Sequence, residues 1–264
     1  TGQFAYGQAF VYNVPSTITV NHVNAPASPD VPSYVQEIQD RLTQLNQPWV
    51  TMLKFQNWNV VTANNVTNSN IGVINNNLIK TFISAFDSET SIPAQSSIIS
   101  ISTNKVLPAD KDWVVMFTTN LGHDGEYYSN GGIKFVMKRH IGLFSGDTSG
   151  FVPPEVYIFD AGAEWYGNNL IKLQSGKICS GANGTSTNNT IYTNDESANV
   201  QVTMLKAGNH ILVQIYYAGY AISDIYSSTI LSGDAGFSVL CKKPSSGGNG
   251  YVGEVSNVRY YIFP

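Results

Sequence analysis

From about Ser96 onward the sequence is a succession of short runs: SIISIS, DWVVMFTTNL, GIKFVMKRHIGLF, EVYIFDA, NLIKLQS, NVQVTMLKAG, NHILVQIYYAG, AGFSVLC and NVRYYIF, separated by Gly, Asn, Asp or Pro. They alternate apolar and polar residues or run apolar, as strands buried on one or both faces do. No helical pattern intervenes, so the expected fold is all-β, an antiparallel sandwich or barrel. The lack of a fixed-period repeat argues against propellers and β-solenoids. The pattern continues to the chain end. In GYVGEVSNVRYYIFP, Val258, Tyr260 and Ile262 share one parity and Arg259, Tyr261 and Phe263 the other. A strand lying between two packed surfaces has that arrangement. Most termini are loose and polar; this one has to be paired into a sheet.

Composition narrows the partners. Only 12% of the 264 residues are charged, and the net charge is -4. There is no basic patch of the kind that phosphate neutralisation on nucleic acid requires. Nucleic acid is therefore not an expected partner. Solubility rests on Asn, Ser, Thr and Gly, accompanied by 15 Tyr and 12 Phe; such surfaces meet sugars or proteins through hydroxyl, amide and ring contacts. No apolar run approaches the ~20 residues of a membrane helix, and residues 1–20 lack the layout of a signal peptide. Membrane insertion is not expected. Cys179 and Cys241 are too few for a disulfide framework and lack metal-ligand spacing, so they read as small buried hydrophobes.

The N-terminal third differs. Residues 1–32 read as an extended arm stiffened by Pro26, Pro29 and Pro32. SYVQEIQDRLTQLNQ follows as a helix, with Ser33 as cap, Gln36 reaching back, an apolar stripe of Val35, Ile38, Leu42 and Leu45, and Pro48 as stop. That narrow stripe suits either docking against sister subunits or packing on its own domain. WVTMLKFQNWNVVTA begins a strand at Trp49, and NNVTNSNIGVINNN reads as loop and turn. The expected organisation is an arm, helix and docking region over residues 1–88 and a β-sandwich over residues 89–264.

Three stretches carry a family resemblance: DWVVMF (residues 112–117) as an opening strand, VQVTMLKAGNHILVQI (residues 200–215) as a hairpin turning on Gly208, and GEVSNVRY (residues 253–260) as the closing strand. In this order they resemble the concanavalin-like and laminin-G-like jelly-roll family over roughly residues 90–264. The resemblance implies an antiparallel two-sheet jelly-roll sandwich, with an N-terminal arm and one short helix attached. It also implies that the last strand lies near the first, which would explain the apolar chain end. The family's hairpin usually continues to Asp-Gly, whereas Tyr217-Ala218-Gly219 follows here, so no role for that Asp carries over. The charge-poor composition and the arm–helix–head layout also look like accessory baseplate and receptor-binding proteins of siphophages. That likeness implies saccharide at a cell surface or cell wall as one partner and other tail or baseplate proteins as another. Self-association would run through the arm and helix, at an extracellular or virion-surface location.

Catalysis finds little support. Glycoside cleavage needs paired carboxylates ~5 to 10 Å apart, yet Asp147, Glu155, Asp160 and Glu164 are scattered. No G-x-S-x-G, H-E-x-x-H or phosphate-cradling loop occurs, and His22, His123, His140 and His210 stand apart. Binding has better candidates. GHDGEYYSNGG (residues 122–132) offers Asp124, Tyr127, Tyr128 and Asn130, and DAGAEWYGNN (residues 160–169) offers Glu164, Trp165, Tyr166, Asn168 and Asn169. Flat rings stack on pyranose C–H faces while amides and carboxylates bind the hydroxyls; the same rings can equally anchor their own loops. No cofactor is required. The resemblance admits Ca2+ at Asp124, Asp147 or Asp160 with backbone carbonyls, although no spaced oxygen-ligand run appears. The sequons at Asn65, Asn183 and Asn188 matter only in a eukaryotic secretory source. The expected function is non-catalytic saccharide binding for host recognition. The alternatives are a secreted adhesin or carbohydrate-binding module, and a concanavalin-like glycoside hydrolase or lyase.

Overall fold

The structure, a computed structural model, describes residues 32–62, 72–74, 78–80, 98–120, 138–163, 170–175, 190–193, 199–217, 219–242 and 254–264. In chain order the elements are α1 (Ser33–Leu45), β1 (Leu53–Lys54), β2 (Asn59–Thr62), β3 (Gly72–Ile74), β4 (Leu78–Lys80), β5 (Ile98–Ser102), β6 (Trp113–Asn120), β7 (Lys138–Phe144) and β8 (Val156–Ala163). Then follow β9 (Leu170–Ser175), β10 (Thr190–Thr193), β11 (Asn199–Ala207), β12 (His210–Tyr217), β13 (Tyr220–Ser227), a 3-10 turn (Ser228–Ile230), β14 (Gly236–Lys242) and β15 (Glu254–Ile262).

All the strand pairings are antiparallel, in two sheets. One has eight strands in the order β13-β12-β11-β6-β15-β4-β3, with β1 also on β15; the other has seven in the order β10-β9-β8-β7-β14-β5-β2. The chain crosses from one sheet to the other at β1 to β2, β2 to β3, β4 to β5, β5 to β6, β6 to β7, β10 to β11, β13 to β14 and β14 to β15, as a jelly roll does. The all-β, two-sheet sandwich expected from the sequence is thus what forms.

Between the sheets lies one core that includes Phe55, Trp113, Val115, Phe117, Ile141, Ile158, Val202, Met204, Val213, Phe237 and Val258. A second core lies on the outer face of the eight-stranded sheet, where Ile38, Leu42 and Leu45 of α1 cover Val114, Met116, Leu205, Ala207, Leu212 and Phe263. The helix therefore packs on its own chain. Strands β1, β2, β3 and β4 belong to the same two sheets as the strands after residue 98, so the sheets cross the boundary drawn at residue 88. Residues 1–31 of the arm lie outside the described residues.

The chain end behaves as its alternation implies. Strand β15 pairs with β6 on one side and with β1 and β4 on the other. Tyr260 and Ile262 pack on the inter-sheet core, while Tyr261 and Phe263 join the core under α1. Between the Ser256–Thr118 and Arg259–Met116 pairs two residues, Asn257 and Val258, oppose the single Phe117, a bulge in which Asn257 takes φ 55. The extra residue resets the alternation, so that Val255 and Val258, three apart, both reach the inter-sheet core.

Local details depart from the sequence reading for identifiable reasons. The helix is capped by Pro32, whose carbonyl accepts from the Val35 and Gln36 amides, not by the Ser33 side chain. Gln36 donates forward to Asp40 (2.8 Å). The run from Trp49 is broken at Asn57, with φ 57, and this turns the chain from β1 at one sheet to β2 at the edge of the other. Within the asparagine-rich stretch, Gly72–Ile74 is a strand paired with Leu78–Lys80, which pairs in turn with β15.

Three substitutions test this arrangement. Phe263→Ala empties a site that is 1% exposed, and urea unfolding is expected to show a loss of about 3–5 kcal/mol. Trp49→Ala, at a ring 70% exposed, is expected to stay within about 0.5 kcal/mol of wild type. Asp112→Ala strands the Gly208 amide and the Arg41 guanidinium; a loss of about 2 kcal/mol is expected in the same assay.

Candidate functional site

The nine residues singled out for saccharide binding, Asp124, Tyr127, Tyr128, Asn130, Glu164, Trp165, Tyr166, Asn168 and Asn169, lie outside the described residues. The strands that flank them are described. The first segment leaves β6 at Asn120 and rejoins at Lys138, the first residue of β7; the second leaves β8 at Ala163 and rejoins at Leu170. Lys138 is paired directly with Ala161, and Ala163 with Leu170. Antiparallel pairing therefore sets the start of β7 beside the end of β8. Two sequence stretches more than thirty residues apart are attached to neighbouring strands at one end of the sandwich.

Other strand ends meet there. Asn120 pairs with both Asn199, at the start of β11, and Glu254, at the start of β15. Lys242, the last residue of β14, pairs with Lys138, and the turn between Tyr217 and Tyr220 lies one strand beyond β11.

The outer face of the eight-stranded sheet grades in polarity toward this end. Nearest α1, the row Val114–Leu205–Leu212–Ile225 is apolar. The next row, Met116–Thr203–Gln214–Ser223, is mixed, with Gln214 donating to the Ser223 hydroxyl (3.1 Å). The third, Thr118–Gln201–Tyr216–Ala221, is mostly polar. Side chains fixed on strands hold such groups in register without ordering a loop. The sequence hid this face, because cross-strand rows depend on registers that no single strand encodes.

The opposite end is closed by polar ties. Asp112 accepts from Arg41 Nε and the Gly208 amide, both at 2.8 Å. The Ser145 hydroxyl donates to Glu155 (2.5 Å) and accepts from the Ser232 amide (2.8 Å). Trp113 Nε1 donates to the Pro108 carbonyl (3.1 Å). Glu155, one of the scattered acids, is thus a loop tie.

Asp147 also closes its own turn, accepting from the Ser149 hydroxyl and amide, and these bonds hold its carboxyl below the usual carboxylate value. Among the described residues no group of three His, Cys, Asp or Glu side chains is placed to hold a metal. Asp160 stands opposite Arg139 in the β7–β8 register. His210 stacks on Tyr34 of α1 with ring centroids 4.4 Å apart, and His140 lies tilted against Tyr157 at 4.5 Å; His22, His123 and Asp124 lie outside the described residues, as does Cys179. Cys241 sits in β14, paired with Ile99 and Arg139. No described helix is long and apolar enough to cross a membrane.

No family model and no curated protein matches the chain. Among solved structures it is similar to the CBM2 module of the evolved Dit of Lactobacillus casei BL23 phage J-1, at 13% identity and a TM-score of 0.45, over 81% of this chain and 95% of that one. It is also similar to a family 7 alginate lyase, A1-II', at 7% identity and a TM-score of 0.48, over 78% and 92%. A third is lectin II from Ulex europaeus, at 9% identity and a TM-score of 0.39, over 71% and 93%.

Proposed function

We propose that this protein is a non-catalytic saccharide-binding head, carried by a phage tail or baseplate and directed at the host cell surface. The observation that carries the reading is the strand register. It attaches the Tyr127–Tyr128 segment and the Trp165–Tyr166 segment to adjacent strands at one end of a rigid sandwich. Two ring-bearing segments with flanking amides and carboxylates then serve a single ligand, the rings on its C–H faces and the polar groups on its hydroxyls. The sandwich supplies a fixed base, and its segments supply the specificity. The tail assignment draws on the charge-poor, Asn-, Ser-, Thr- and Tyr-rich composition and on an arm and helix preceding the head. Two of the acids that a glycosidase reading would draw on, Asp147 and Glu155, are engaged by neighbouring hydroxyl and amide groups, which supports the non-catalytic reading.

The test is binding of the chain to purified host cell-wall saccharide, with Trp165→Ala and Tyr127→Ala as probes. Each substitution is expected to weaken binding by about tenfold, the worth of one ring stack. Unchanged binding in both variants would remove the site. Release of reducing sugar from the bound glycan would convert the reading to a hydrolase.

A further inference from the structure

Trp49 is the most exposed of the large apolar side chains among the described residues, with 70% of its surface open to solvent. Single apolar residues on a surface are ordinary, but this ring stands on a built turn. Helix α1 ends in two tight bonds, from the Asn46 amide to the Thr43 carbonyl (3.2 Å) and from the Gln47 amide to the Gln44 carbonyl (3.0 Å). The Val50 amide then closes a turn on the Gln47 carbonyl (3.1 Å). Pro48 and Trp49 are its two central residues, and proline pre-sets the first backbone angle of such a turn. The chain is anchored on both sides: Leu45 lies in the core under α1, and Val50 and Met52 pack against that core. Burial alternates from Trp49 to Leu53, with Trp49, Thr51 and Leu53 turned out. The indole is thus held by its backbone rather than by packing.

Amide groups sit on the same turns. Gln44 Oε1 accepts from Arg41 Nη1 (2.8 Å), and Arg41 Nε is itself fixed on Asp112 (2.8 Å). The Gln44 carboxamide is therefore oriented, and its Nε2 has no partner among the described residues. Asn46 Nδ2 donates to the Leu42 carbonyl (3.4 Å), which leaves its Oδ1 open. The Gln47 side chain makes no hydrogen bond among the described residues. No residue from Thr43 to Leu53 is charged. An exposed ring accompanied by open amide donors and acceptors, with no charge, suits a neutral sugar: the indole takes a C–H face and the amides take hydroxyls.

We propose that Trp49, with Gln44, Asn46 and Gln47, forms a second saccharide site that takes a neutral pyranose. The inference rests on the saccharide-binding reading for its ligand class and uses none of that site's residues. The Arg41–Asp112 tie places it at the end of the sandwich where β6 begins, whereas the Tyr127–Tyr128 segment leaves β6 at its other end. The eight residues of β6 separate the two ends by about 25 Å. Two sites so spaced engage separate parts of one glycan or two neighbouring glycans, and linked binding exceeds the affinity of either site alone.

The experiment follows the indole N–H signals of the isotope-labelled full chain by NMR, the Trp49 signal being the one missing from Trp49→Ala. Maltohexaose, cellohexaose, chitohexaose and a β-galactan oligosaccharide are the probes, and hexanediol is the apolar control. The Trp49 signal is expected to shift with at least one sugar and to saturate in the millimolar range, roughly what one ring stack and a few hydrogen bonds support. The shift should persist in Trp165→Ala. Gln47→Ala, which removes no hydrogen bond seen within the protein, should weaken it severalfold. On purified host cell-wall saccharide, Trp49→Ala is expected to bind about tenfold more weakly and Trp49→Phe to regain most of that loss. The proposal is overturned if no sugar moves the signal, if hexanediol moves it as far, or if Gln47→Ala binds as wild type does. A Trp49 signal that moves on dilution of the chain alone would mark an interface between copies and overturn it too. If a sugar moves the Trp49 signal while Trp165→Ala and Tyr127→Ala leave cell-wall binding unchanged, this site stands and the one proposed above falls. If no sugar moves it while Trp165→Ala loses cell-wall binding, this site falls and the other stands; if no saccharide is bound at all, both fall.

Discussion

Asp112 fixes how the pieces of this sandwich meet. It sits just before β6, and its carboxylate takes Arg41 Nε from α1 and the Gly208 amide from the β11–β12 turn, with Lys206 Nζ 3.9 Å away. Its carbonyl accepts from the Phe263 amide (2.9 Å), holding the chain end. Arg41 then lies over the Phe263 ring, 4.9 Å from its centroid. A helix, a hairpin and the C-terminal strand are thereby referenced to one residue. The geometry asks something of each partner. Gly208 has to turn with φ +54 to aim its amide, and Phe263 has to place its ring in the second core. The carboxylate is 17% exposed, wet enough to limit the desolvation cost yet sheltered enough for charge-assisted bonds to exceed neutral ones.

This also explains why the apolar stripe of α1 lies on its own sheet. Its stripe of Ile38, Leu42 and Leu45 is narrow, but the outer face of β6, β11 and β12 offers Val114, Leu205 and Leu212 opposite it. Burying a few aliphatic side chains at ~1.5–3 kcal/mol each, together with the Arg41–Asp112 pair, settles the helix on its own sheet. The stripe alone suited either outcome, since the apolar row it needed becomes contiguous only when β6, β11 and β12 are in register.

What was legible in the sequence was what depends on one strand or one turn. The parity of residues 258–263, the hairpin turning at Gly208 and the limits of the helix follow from alternation, a glycine and a proline. Contacts set by register were hidden. The short strand Gly72–Ile74 has little pattern of its own and exists because Leu78–Lys80 and then β15 pair beside it. The Ser33 cap was misplaced because Pro32 already supplies the carbonyl that opens the helix. The nine candidate site residues belong to segments whose composition speaks of chemistry; only the strands that flank them show where those segments are attached.

The two ends of the sandwich consequently divide the work. At the Asp112 end, acids and hydroxyls are consumed in ties between loops, as in the Ser145–Glu155–Ser232 cluster. At the other end the outer face of the eight-stranded sheet turns from aliphatic to polar. With the loops tied at the Asp112 end, segments attached at the opposite end can be chosen for a ligand at little cost to the fold.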